Sequence, residues 1–241
     1  MAYELYYWDG LQGRGEFIRL ALEEAGADYV DVARHEDSGG TAAMMRLLHD
    51  AGDQVTPFAP PFLKDGALIV SHVANILFYL GPKLGLAPAE EGLRFAANGL
   101  QLTITDLAVE AHDTHHPISS ALYYEDQKEA AKARSVAFLD SRLPKFLGYF
   151  EQVLQRNGEA WIVGERLSYV DLSLFQVVEG LSYAFPRAMA RFAARYPGLA
   201  ALRGTVRQRP NIARYLASDR RLEFNESCVF RHYPELDQDV P

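Results

Sequence analysis

Only one of the 241 residues is a cysteine, Cys228. That excludes an intramolecular disulfide and fits a reducing compartment. Basic residues are also in short supply: 24 Lys and Arg face 32 Asp and Glu, for a net charge of -8. A sequence-independent nucleic-acid binder needs the opposite surplus, to displace counterions from phosphates. No apolar run approaches the roughly 20 residues of a membrane-spanning helix. The opening MAYELYYWDG reads as neither a signal peptide nor an Arg-rich transit segment. Internal repeats and low-complexity tracts are missing too. What remains is ordinary globular composition, 49% hydrophobic and 23% charged, so the expectation is a soluble cytoplasmic protein that binds neither nucleic acid nor membrane.

The first eighty residues alternate strand and helix signals. YELYYW (3–8) is short, aromatic and strand-like, and RGEFIRLALEEAG (14–26) carries an apolar stripe ended by Gly26. DYVDV (28–32) is a second strand, and TAAMMRLLHDAG (41–52) a weaker helix. Two prolines, Pro60 and Pro61, stand before FLKDGALIV, where a strand start tolerates them. Asp65-Gly66 then divides that run into a hairpin. SHVANILFYLG (71–81) reads as a helix with Ser71 as its N-cap. From the proline- and glycine-rich PKLGLAPAEEG onward the strand signals fade, and helical periodicity runs to about residue 218. Pro144 lies inside one of those helical spans, where it is expected to kink the helix or cost ~3 kcal/mol. The fold class is therefore an α/β unit followed by an all-α unit.

Three stretches, in this order and at these separations, resemble the soluble glutathione transferases: YYWDGLQGRGEFIRLAL (6–22), PPFLKDGALIVSHVANILFYLG (60–81) and WIVGERLSYVDLSLF (161–175). Together they cover most of the chain. The resemblance is to tyrosine-type members, nearest in pattern to the mu, pi and sigma groups. It implies a thioredoxin-like glutathione-binding domain over residues 1–82, a linker over 83–90, an all-helical domain over 91–218 and a C-terminal tail over 219–241. In the third stretch the residues also explain themselves. Ser168 caps a helix and Asp171, three positions on, reaches back to the cap N–H, a box worth ~1 kcal/mol.

The same resemblance implies the site. Pro61 is the expected cis-proline, whose turn offers a backbone edge to the tripeptide as a strand would. Pro60 lacks the N–H that its position in the family supplies, and Val70 stands where Gln or Glu is common. Ser71, at a helix N-terminus, is expected to hold the γ-glutamyl carboxylate, with His72 as a further donor. Tyr7 is the expected catalytic residue, its hydroxyl stabilising the glutathione thiolate, and Trp8 lies beside the glycine end. Side chains alternate along a strand, so Tyr6 and Tyr7 cannot both face the site. Arg14, at the start of the first helix, and Arg46, with His49 as the other candidate, are the basic residues that reach glutathione.

HDTHHP (112–117) raises a metal reading, because His112 and His115 are three apart on a helix. No further Cys/His pattern supplies the remaining ligands of a zinc site, so the stretch reads as a polar helix end broken at Pro117, with no metal expected. By resemblance that helix end lines the electrophile pocket, which nominates His112, His115 and Tyr123 as substrate contacts. The tail is expected to cover the pocket or to pad a dimer interface. The whole reads as a homodimeric glutathione transferase with glutathione as co-substrate and a small hydrophobic electrophile as its partner. Two other readings are a glutathione-dependent isomerase or epoxide-opening enzyme, and a binding protein of the same fold without catalysis.

Overall fold

The computed structural model of the chain describes residues 2–238. Its first part is β1 Tyr3–Tyr6, α1 Glu16–Ala25, β2 Tyr29–Asp31, α2 Gly40–His49, β3 Phe62–Asp65, β4 Leu68–Ser71 and α3 Val73–Lys83. The strands form one sheet in the order β2-β1-β3-β4, with β1 and β2 parallel and the other pairs antiparallel. Alternation along the strands sends consecutive side chains to opposite layers. Leu5, Leu63 and Val70 pack with Ile18, Leu22, Ile76 and Leu80 on the α1/α3 side. Tyr6 and Phe62 face the other way, against Val32 and Met44 of the α2 side.

Three boundaries differ from what the sequence predicts, for identifiable reasons. The first helical stretch opens as a 3-10 turn, Gly13–Gly15, before α1 proper begins. The helix expected from a Ser71 cap begins instead at Val73, because pairing of Ser71 with Phe62 keeps it in β4. His72 makes the turn between them with φ 73°, a left-handed conformation unusual for a side chain other than glycine. The hairpin loop is Gly66-Ala67, since Asp65 still pairs with Leu68. Gly66 takes the positive φ of 62° that this turn requires.

The second part is helical: α4 Glu91–Asp113, α5 Lys128–Ala137, α6 Leu143–Arg156, α7 Tyr169–Ala184, α8 Phe192–Arg195, α9 Pro197–Arg207 and α10 Pro210–Leu216. Pro144 does not interrupt a helix. The backbone stays helical from α5 into α6 through a π-type turn over Phe138–Arg142, and the proline follows closely on that bulge, which accommodates it. Most residues of α7 are buried on every side, so it is the central helix of this part, with α4, α9 and α1 against it. The capping box is formed: Asp171 accepts the Ser168 N–H at 2.7 Å and the Ile162 N–H at 2.8 Å.

The segment after α10 neither covers the cleft described below nor stands free. It is strapped along the helical body. Phe230 lies against Gly180 of α7, Ser135 donates to the Leu236 carbonyl at 2.6 Å, and Asp237 accepts the Arg187 and Ala188 N–H groups.

Candidate active site

A cleft of about 370 Å³ opens between the two parts. One wall comes from the first: Arg14 and Phe17, Phe58 to Pro61, and Ser71 to Val73. The other is a stripe of α4, made of Gln101, Ile104, Thr105, Ala108 and Val109. The Pro60–Pro61 bond is cis, and the Pro61 carbonyl accepts the His72 N–H at 3.3 Å. The cleft therefore has an irregular backbone edge on one side and an apolar helix face on the other.

Tyr7 stands directly behind Arg14. Its hydroxyl accepts the Arg14 backbone N–H at 2.9 Å, and among the described residues it donates to none. The turn QGRG wraps the ring so closely that only glycine fits. A Cβ at position 13 would lie 2.1 Å from the hydroxyl, and one at position 15 would lie 2.7 Å from the ring. Burial raises the Tyr7 pKa, and the Arg14 N–H and charge only partly oppose it. The hydroxyl thus keeps its proton at neutral pH and remains a donor. Tyr6 is excluded from this role. It stacks on Phe62 at 4.7 Å and donates to Glu4 at 2.5 Å, on the α2 side of the sheet.

The Tyr7 loop is held from below and from the side. Arg19, the arginine of IRL, is fully buried and binds Asp31 at 2.6 Å, Glu16 at 3.2 Å and the Leu11 and Gln12 carbonyls at 3.2 Å. Burial pushes the Glu16 carboxyl upward, but Arg221, Arg19 and the Tyr215 hydroxyl overcome it and hold it below the usual range. From the side, Gln12 bonds Leu222 and Gln176, while Asn225 donates to the Gly10 carbonyl at 3.1 Å. The tail is thus part of the support of the Tyr7 loop. No pattern in the sequence pointed to Asn225 or Gln176; the IRL motif did contain the signal for Arg19.

Several expected contacts are not on the cleft wall, and Tyr7 is one of them: it is buried behind Arg14 and the QGRG turn. Arg46 and His49 belong to the outer surface of α2, where that helix covers the Tyr6 side of the sheet. Trp8 is exposed beyond β1. The α4 stripe ends at Val109, and Tyr123 projects into solvent. His112 lies one turn further along α4 than the cleft wall, near Arg14, and His115 is buried beneath the tail with Nε2 3.0 Å from the Val229 carbonyl. Arg14, Pro60, Pro61, Ser71 and His72 do line the cleft together. Ser71 does so from the end of a strand. The first helical residue is Val73, so the N-terminus of α3 carries no hydroxyl and no side-chain cap. Gln101 is the polar group the sequence reading missed: it is buried beside the cleft, and its Oε1 has no hydrogen-bond partner among the described residues.

A thioredoxin-like sheet with a cis-proline edge, joined to a helical body across such a cleft, is the architecture of the soluble glutathione transferases. The glutathione S-transferase C-terminal domain family matches residues 112–219. Among individual proteins, rat "Glutathione S-transferase alpha-3" is 30% identical over 227 residues, 93% of this chain and 94% of the relative. "Glutathione S-transferase" of Plasmodium falciparum is 27% identical over 221 residues, 89% of this chain and 94% of its own. The pi-class glutathione S-transferase structure from Onchocerca volvulus superposes with a TM-score of 0.68 at 22% identity, covering 90% of this chain and 92% of that one. The chain belongs to the glutathione S-transferase family. It is a transferase by that membership. No helix among the described residues is long and apolar enough to cross a membrane.

Proposed function

We propose that the protein conjugates the thiolate of glutathione to a small hydrophobic electrophile, with Tyr7 as the catalytic residue. The observation that carries this reading is the Tyr7 hydroxyl, which accepts the N–H of the cleft-lining Arg14 at 2.9 Å and keeps its own proton, one residue behind the cleft wall. Glutathione's thiol resembles free cysteine, with a pKa of ~8.5, so little of it is thiolate at pH 7. A hydrogen bond donated by Tyr7 to sulfur favours the ionised form. The nucleophile then attacks an electrophilic carbon held against Ile104, Ala108 and Val109. The new carbon–sulfur bond forms as the leaving group departs or a ring opens.

Glutathione would lie along the Pro60–Pro61 edge, its γ-glutamyl end toward Ser71, His72 and the first N–H groups of α3. Pro60 can accept there but cannot donate, and Val73 offers no hydroxyl. Binding then rests on backbone groups and on Arg14, so affinity lower by severalfold is expected for each missing hydrogen bond, at ~0.5–1.5 kcal/mol. Gln101 favours electrophiles that carry a hydrogen-bond donor, because such a ligand satisfies its unpaired Oε1. The direct test is conjugation of glutathione to an activated aryl halide. Wild type is expected to turn over, and Tyr7→Phe to lose about 10²-fold in kcat. Equal rates in both would remove Tyr7 from the chemistry.

A homodimer belongs to the same reading. Phe95, Leu102 and Val109 are exposed at seven-residue spacing along one line of α4, and Phe58 is fully exposed on the loop across the cleft. An apolar line of this kind, beside a site, suits a second copy of the chain.

A further inference from the structure

The helical winding of α4 continues for one loose turn past Asp113, which puts residues 112, 115 and 116 on one face. The N–H groups of His115 and His116 both bond the His112 carbonyl, each at 3.2 Å, and this turn brings three imidazoles together. Their ring centroids are 4.8 to 4.9 Å apart, and each ring offers a nitrogen within 4.8 Å of the others. His115 Nε2 lies 3.0 Å from the Val229 carbonyl. A carbonyl only accepts, so that nitrogen carries the ring proton and Nδ1 presents a lone pair. Nδ1 points at His116 Nδ1, 2.5 Å away. A backbone carbonyl fixing the far nitrogen of an imidazole is the outer-shell arrangement typical of metal-bound histidines.

We propose that His112, His115 and His116 form a binding site for one divalent transition-metal ion of the zinc, copper and nickel group, with a fourth position left to water. Imidazole is a preferred ligand for these ions. Two nitrogens on one tetrahedral zinc stand ~3.3 Å apart, given Zn–N bonds of ~2.0 Å. The nitrogens need shifts of only about an ångström to reach that spacing. Arg14 and Arg231 are the nearby cations that oppose a dication. The Asp113 carboxylate, 3.8 Å from His112 Nδ1, and Glu125 near His116 offset them. His112 and His116 are partly exposed, which gives the ion a path from solvent. Through the Val229 carbonyl, a bound ion would also fasten the tail to α4.

The test uses tag-free, metal-stripped full-length protein titrated with Co²⁺ and then competed with Zn²⁺. The expected result is one Co²⁺ per chain with the intense visible bands of four-coordinate cobalt, displaced by Zn²⁺. His112→Ala and His116→Ala should each weaken binding by at least ~100-fold, since losing an outer-shell partner alone costs ~10- to 100-fold. His49→Ala and Cys228→Ser should leave it unchanged. As a check independent of colour, Zn²⁺ should raise the melting temperature of wild type and not of either site variant. No binding by wild type overturns the assignment. So does binding that survives both histidine substitutions, or binding that disappears with Cys228→Ser or His49→Ala.

Discussion

Gly180 and Phe230 are in contact so close that no side chain fits at position 180. A Cβ there would meet the Phe230 ring at 2.2 Å. In a helix interior Gly→Ala ordinarily stabilises by ~1 kcal/mol. Here overpacking opposes propensity and should win, at ~1–3 kcal/mol. Gly180→Ala is therefore expected to destabilise the protein in urea unfolding. Adding Phe230→Ala should make the double variant more stable than the sum of the two single effects predicts. A stabilised Gly180→Ala would mean that the tail is not held against α7.

Arg19 joins two buried carboxylates: Glu16, which also binds Arg221 and Tyr215, and Asp31, whose other cation, Arg34, is 3.7 Å away. Removing its charge leaves Asp31 and Glu16 buried with one partner fewer each. Arg19→Met should cost ~3–5 kcal/mol, the usual penalty for breaking a buried pair from one side. Equilibrium denaturation at pH 7 measures it. A loss under ~1 kcal/mol would show that the network relaxes to solvent.

Asp171 sets a pH dependence whose sign can be worked out. Burial raises its carboxyl to about 6 from 3.8, despite the opposing hydrogen bonds from Ile162 and Ser168. Between those values the folded chain holds a proton that the unfolded chain has released. Its stabilising contribution is therefore complete below pH 3.8 and lost as pH rises through 6. Asp171→Asn cannot titrate. The stability of wild type relative to Asp171→Asn, from urea midpoints between pH 4 and 7, should fall by about 2–4 kcal/mol as pH rises. A difference that grows with pH would mean that the hydrogen bonds, not burial, dominate at this carboxyl.

The exposed line on α4 predicts the effect of a single charge. Wild type should run in light scattering at twice the 27.0 kDa of the chain, and Leu102→Glu should run at the chain mass. A wild-type protein of single-chain mass would leave the α4 line without a second copy.

What was legible in the sequence was local. The Pro-Pro strand entrance and the Ser168/Asp171 box encode their geometry within a few residues and appear where the pattern put them, while the Asp65-Gly66 hairpin forms with its loop one residue further on, at Gly66-Ala67. The start of α3 was misplaced by two residues because nothing in SHV announces a left-handed histidine. Glycine would have marked that turn, and Ser71 offered a plausible cap in its place. Arg46 and His49 were nominated by resemblance, as the basic residues of the second helix, and that helix turns them away from the cleft. The long-range features were out of reach. His115 meets Val229 across 114 positions and Gly10 meets Asn225 across 215. The common face of His112, His115 and His116 is the i, i+3, i+4 spacing of a helix, but the Val229 carbonyl that meets His115 is not visible in it.

The central claim is that the Tyr7 hydroxyl stabilises the thiolate of bound glutathione. The most direct measurement is a pH titration of that thiol, followed by thiolate absorbance in wild type and in Tyr7→Phe. The account predicts a bound-thiol pKa clearly below the free value of ~8.5 in wild type, moving back toward that value in the variant, with glutathione affinity little changed. Saturable binding with the same thiol pKa in both proteins would contradict it.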